Sequence, residues 1–263
     1  MTTATAPAST TSAMSRVVAL ATSEIRLILR NRTVLVTAAV LPLAMGAFFA
    51  YSFKANDLGP SGSAMAIAAQ ISVVLAMGIY VTATQTVVAR RHSRVLKRLR
   101  TTGMADRDLL TAVMAAPVAI GLVQLAIFIP FNMATGTPAP ANLAALAIAV
   151  IGGVFLAVTA ALATAVITPS PERAQITTLP LTFLMLGGAI STAITVLTGW
   201  WEAISLLPGA AIGSFVKFAM VGGMTDPGFA GLPSVVLPLV SLIVWPVVFA
   251  VLALRKFRWD PRH

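Results

Sequence analysis

Residues 89–107 read Ala89-Arg90-Arg91-His92-Ser93-Arg94-Val95-Leu96-Lys97-Arg98-Leu99-Arg100-Thr101-Thr102-Gly103-Met104-Ala105-Asp106-Arg107. This stretch holds seven of the chain's 18 basic residues, yet long apolar runs flank it on both sides. Val95, Leu96 and Leu99 fall at i, i+1 and i+4, on one side of a helix. Arg94, Lys97, Arg98 and Arg100 surround that stripe with charge. Gly103 can take the left-handed conformation that ends a helix, and Asp106 is suited to cap the next one. The pattern predicts a short amphipathic helix at a membrane surface between two spans, resting in the headgroups or docking into a groove on a partner. Basic residues that only set topology would need neither the apolar stripe nor the glycine stop.

The flanking runs set the class. Hydrophobic residues make up 58% of the 263-residue chain and charged ones 10%, against about 25% charged in a soluble domain. No soluble fold of this size has enough interior for that much apolar surface, so the chain reads as an all-α polytopic membrane protein. Six runs approach or exceed the roughly 20 residues that cross a hydrocarbon core. They lie at about 33–53, 64–89, 108–133, 141–167, 174–197 and 233–254. The linkers after the first, third and fifth carry only Lys54 and Lys217, while the N-terminus, the other two linkers and the C-terminus hold the remaining 16 basic residues. That asymmetry predicts both termini inside.

Ahead of the first run, residues 1–13 are Thr, Ala, Ser and Pro with no charge, and read as a disordered tail rather than a secretory signal. Residues 14–32 predict an amphipathic helix with Val18, Ala21, Ile25, Ile28 and Leu29 along one side. Arg16, Ser23, Arg26 and Arg30 lie along the other. It suits a helix lying in the interface plane, or the lead-in to the first span. Residues 33–254 form the six-span domain, and 255–263 a basic tail.

Apart from Asp108 at the edge of the third, the runs contain no Asp, Glu, Lys, Arg or His. Intramembrane charges mark proton and ion relays, so a proton-coupled pump or a selective ion channel is disfavoured. A membrane-embedded enzyme would need paired carboxylates, a His cluster or a nucleophile with its base, and the runs offer none. The neutral polar residues Gln70, Thr82, Gln85, Thr178 and Thr182, with Met185, are candidates for a substrate path. Interhelical hydrogen bonds, worth about 0.6 kcal/mol each, account for most such residues, which leaves some for a path. Pro42, Pro117, Pro180 and Pro246 should bend their helices where neighbours can satisfy the freed carbonyls. Glu172 complements the dipole at the start of the fifth run.

After the fifth run, Gly199-Trp200-Trp201-Glu202 and residues 203–207 precede Pro208-Gly209, residues 210–221 and Gly222-Gly223. Two short apolar helices behind an interfacial Trp pair predict a hairpin dipping into the outer leaflet. A single kinked span would put Arg255, Lys256, Arg258 and Arg262 outside, against the charge rule.

The net charge of +10 gathers beside the spans, so anionic lipid headgroups rather than nucleic acid are the counterions. With no cysteine and only His92 and His263, a disulfide or zinc site is not expected. Few Lys beside Arg, with abundant Ala and Val, point to a GC-rich bacterial genome.

Several pieces together resemble the permease subunit of type-2 ATP-binding-cassette (ABC) exporters, which include bacterial drug, antibiotic and polysaccharide exporters. Glu24-Ile25-Arg26-Leu27-Ile28-Leu29-Arg30-Asn31-Arg32 is similar to that family's connecting helix. The run from Val95 to Thr102, with Asp106-Arg107-Asp108-Leu109-Leu110, is similar to its inside loop after the second span. Gly199-Trp200, Leu206-Leu207-Pro208 and Gly222-Gly223 resemble its outer hairpin, and Arg258-Trp259-Asp260 its usual end. One departure stands out: family members commonly carry an acidic residue a few positions before the Leu-Lys-Arg-Leu core, where this chain has Arg90, Arg91 and His92. The resemblance implies two permeases around a central path in the cell membrane. Each would rest on an ATPase through the helix at residues 94–103, with ATP and Mg bound to the ATPase. The chain has no Gly-x-x-x-x-Gly-Lys-Ser/Thr loop, so an ATPase driving it is another chain. The cargo implied is an amphipathic or hydrophobic compound, such as a drug, antibiotic or lipid. The alternatives are a glycan or glycolipid permease, or a scaffold that holds a cytoplasmic protein without transport.

Overall fold

The computed structural model describes residues 13–55, 59–93, 95, 105–194 and 199–256. Six helices among them are long and apolar enough to cross a membrane: Arg32–Phe53, Gly59–His92, Asp108–Ala134, Leu143–Ile167, Pro171–Ala193 and Val236–Lys256. The described residues form no strand. In the second span 89% of the apolar window is buried, against 22% in the first and the sixth. The second span is therefore the axis of the bundle, and the first and sixth face lipid or another chain. Small residues let the others close around it: Ala64, Ala68, Ala69, Ala76 and Ala83 are all sealed.

Two stretches of helix are wound in the wider π form, Val36–Val40 in the first span and Val74–Val81 in the second. The first has a visible cause. Pro42 has no N–H to offer the Ala38 carbonyl four residues earlier, and its ring crowds that carbonyl. Gln124 of the third span supplies a donor instead, Nε2 reaching the Ala38 carbonyl at 2.7 Å and the Ala39 carbonyl at 3.2 Å.

Several boundaries differ from the sequence reading. The second span begins at Gly59 and runs on to His92, so Arg90 and Arg91 belong to the helix rather than to the linker. Asp106 does not cap the third span: Ala105 occupies that position and Asp106 is the first helical residue. Glu172 does lie in the first turn of its helix.

At one end of the bundle the chain turns back. Gly199–Leu206 is a 3₁₀ segment rather than an α-helix, and Ala210–Met220 is a short α-helix. Gly209 joins them with φ +88, packed so tightly on Met185 that a Cβ would lie 2.5 Å from that residue's Cα. A side chain at Gly213 would overlap the Ala189 carbonyl of the fifth span, so the two helices meet backbone to backbone. Trp245 Nε1 donates to the Leu206 carbonyl at 2.6 Å, tying the sixth span to the 3₁₀ segment.

Candidate functional site

The opposite end carries the N-terminal helix Ala13–Arg30 and the basic ends of the second, fifth and sixth spans. The buried line of that helix runs through Leu20, Glu24 and Ile28, with Glu24 3% and Ile28 5% exposed. Val18 and Leu29, expected on the apolar side, are 56% and 54% exposed. Glu24 thus points inward. Its Oε2 accepts from Arg90 Nη2 at 2.7 Å. The pair links the N-terminal helix to the second span across 66 residues.

Arg91, next in sequence, faces the other way and is 1% exposed. Its Nη1 donates to the Ala165 carbonyl at 2.8 Å and its Nη2 to the Thr168 carbonyl. Those carbonyls lie at the C-terminal end of the fourth span, where a helix leaves acceptors unmatched and its dipole favours a cation. One guanidinium fork meets both needs.

Between the N-terminal helix and the second and fifth spans lies a cavity of about 770 Å³. Thr82, Gln85 and Thr86 line it from the second span, Gln175 from the fifth, Arg30 from the end of the N-terminal helix and Arg32 from the start of the first span. Glu24 and Arg90 are at its wall. The lining is neutral and polar along the second and fifth spans, apolar at Leu27, Ile28 and Val34, and charged toward the basic end.

The sequence-derived path residues separate into four places. Thr82 and Gln85 share this cavity. Thr178 is buried with its hydroxyl donating to the Ala174 carbonyl, and Thr182 donates likewise to Thr178. Gln70 is paired with Asn132 through two hydrogen bonds of 2.9 and 3.0 Å, beside a largely apolar cavity of about 530 Å³ among the second, third and fourth spans. Met185 is buried beneath Gly209.

At the far end, Glu202 accepts a hydrogen bond from the Phe229 amide, fastening the loop before the sixth span. Trp201 is half exposed and Pro208 buried. Lys217, Asp226 and Glu202 surround a cavity of about 280 Å³ there. Burial pushes the Lys217 ammonium below its ordinary range, partly offset by Asp226. Of the remaining basic residues in the N-terminal helix, Arg26 is exposed. Val95 is helical and half-buried, whereas Arg94, Leu96, Lys97, Arg98, Leu99, Arg100, Thr101, Thr102 and Gly103 lie outside the described residues. So do Arg258, Trp259 and Asp260.

Sequence reasoning missed the burial of Arg91 and the inward aim of Glu24. The available signal was that Glu24 is the sole acid in the first 56 residues.

Five apolar helices closed around a buried second span, with a cavity under an amphipathic N-terminal helix, define a multi-pass membrane protein. A model of the ABC-2 family transporter proteins matches residues 50–255, and the chain belongs to that family. It is a family of transmembrane permeases that pair with an ABC ATPase subunit. No curated protein and no solved structure matches the chain significantly.

Proposed function

We propose that this chain is the membrane subunit of an ATP-driven exporter of amphipathic or hydrophobic compounds. In this reading the basic end is cytoplasmic, two permeases enclose the path, and two ATPase chains dock beneath residues 94–103. The cavity under the N-terminal helix receives the cargo from the inner leaflet. The short helix Ala210–Met220 and its 3₁₀ neighbour form the outer hairpin. The observation that carries this reading is the cavity lined by Thr82, Gln85, Thr86 and Gln175, in a chain of the ABC-2 family. Its mixed lining supports a cargo of both characters: Leu27, Ile28 and Val34 offer apolar wall to the body, Thr82, Gln85, Thr86 and Gln175 offer hydrogen bonds, and Arg30, Arg32 and Arg90 meet a polar head at the basic end.

The test is co-expression with the nucleotide-binding subunit encoded nearest to this gene, followed by ATP hydrolysis in proteoliposomes over a panel of amphiphiles. Stimulation by an amphiphile, lost in Gln85→Leu, is expected. A stable complex whose hydrolysis responds to none of them, with no movement of any across the bilayer, would favour a scaffold that holds the ATPase without transport.

A further inference from the structure

Gln124 lies between the two π segments. It is 2% exposed, in the middle of the third span. Its Nε2 donates to the Ala38 and Ala39 carbonyls of the first π segment. Its Oε1 has no hydrogen-bond partner among the described residues. That oxygen rests on Gly78, in the middle of the second π segment, where an added Cβ would lie 2.5 Å from it. One side chain therefore holds one π segment by its carbonyls and abuts the other at the glycine that leaves it room.

The second π segment ends immediately before Thr82, and Thr82 Oγ1 donates to Met77 O five residues back at 3.0 Å, a reach that the wider winding permits. Each residue in excess of an α-helical count turns everything beyond it by on the order of 100°, since an α-helix has about 3.6 residues per turn. Thr82, Gln85 and Thr86 face the basic-end cavity at the angle this winding sets. π segments cost helical hydrogen bonds and persist where surrounding structure holds them.

We propose that Gln124 and Gly78 are positioning residues for transport: Gln124 clasps the two π segments together, and the clasp sets the angle at which Thr82, Gln85 and Thr86 face the cavity. The inference rests on reading that cavity as the cargo path. Gln124→Leu fills the space but removes the donor that the Ala38 carbonyl relies on in place of Pro42. Gly78→Ala drives the amide away from the second segment. Gln124→Glu, buried and therefore held neutral, keeps one donor.

Because the chain has no cysteine, Gln85→Cys reports the angle directly, through its rate of reaction with N-ethylmaleimide in native membranes. Tyr51→Cys, at a position 79% exposed on the first span, is the control. With Gln124 present, the cysteine at 85 should react readily. Gln124→Leu should slow it at least fivefold and Gly78→Ala about threefold, with the control unchanged, and Gln124→Glu should recover most of the rate. Equal rates in all four backgrounds would overturn the clasp while leaving the cavity reading intact. A cysteine at 85 that is inert even beside native Gln124 would instead remove the cavity reading, and the clasp with it. Loss of reactivity at both 85 and 51 in Gln124→Leu, with native rates in Gly78→Ala, would also overturn it, because the effect would then be general unfolding.

Discussion

Glu24 Oε2 and Arg90 Nη2 lie 2.7 Å apart, and Glu24 is almost wholly buried while Arg90 keeps 26% of its side chain in contact with solvent. The N-terminal helix is thereby anchored to the axis of the bundle by a charge pair in addition to the apolar contacts of Leu20 and Ile28. Removing one partner strands the other. Breaking a fully buried pair costs about 3–5 kcal/mol, and the exposed side of Arg90 lowers the expected cost of Glu24→Ala to about 2 kcal/mol. Exchanging the charges, Glu24→Arg with Arg90→Glu, should recover more than half of the lost thermal stability of the purified protein. A Glu24→Ala variant as stable as the native chain would show that the apolar contacts alone hold the helix.

Arg91 presents a second, separable prediction. Its planar fork reaches two carbonyls at the end of the fourth span, a geometry that lysine cannot duplicate. Hydrogen bonds from a charged donor contribute about 1.5–3 kcal/mol. Arg91→Lys should therefore destabilise measurably and Arg91→Gln further, read as unfolding temperature in detergent. Equal stability of the lysine variant would mean that charge at the helix end, rather than the fork, is what matters.

The number and placement of the spans could be read from the sequence because twenty apolar residues in a row have few other fates. The buried line of the N-terminal helix could not. Val18, Ala21, Ile25, Ile28 and Leu29 form an acceptable apolar stripe, and an acid is ordinarily placed facing water. Only Arg90, distant in sequence, makes an inward Glu24 tolerable. Arg91 was hidden for the same reason, since its acceptors belong to the fourth span. The π segments have no periodic signature of their own. Pro42 does announce an unmatched carbonyl at Ala38, but that Gln124 answers it depends on how the third span packs.

At the far end, Lys217 supplies a pH test. Its pKa lies below the ordinary 10.5 because burial disfavours the charged form, with Asp226 offsetting part of the effect. The folded state thus binds this proton less tightly than the unfolded chain. Stability should rise as pH climbs from the lowered pKa toward 10.5, and be insensitive to this group below that window. The rise should be smaller in Lys217→Gln. In Asp226→Asn, which removes the offsetting charge, the rise should start at lower pH. Parallel unfolding-temperature profiles for all three would exclude the linkage.

Topology can be checked with the same cysteine-free background. Ser61→Cys and Asp226→Cys should react with an impermeant maleimide on intact cells, whereas Ser93→Cys and Ser170→Cys should react only after permeabilisation. Reaction at Ser170→Cys from outside would invert the assignment of the basic end.

The final prediction concerns residues 94–103. If Val95, Leu96 and Leu99 insert into a groove of the ATPase, complete burial would contribute about 1.5–3 kcal/mol for each. Val95 itself is helical and half-buried. Leu96→Glu with Leu99→Glu should leave expression and insertion near native levels, because neither residue belongs to a span. It should abolish co-purification of the ATPase, or leave its hydrolysis indifferent to amphiphiles. Neutralising Arg94 and Arg98 should do less, since exposed ion pairs contribute about 0–1 kcal/mol. The order of the two effects separates docking from a role in topology alone. If the double glutamate variant transports normally while the arginine variant inverts or fails to insert, the loop is a charge anchor and the ATPase binds elsewhere.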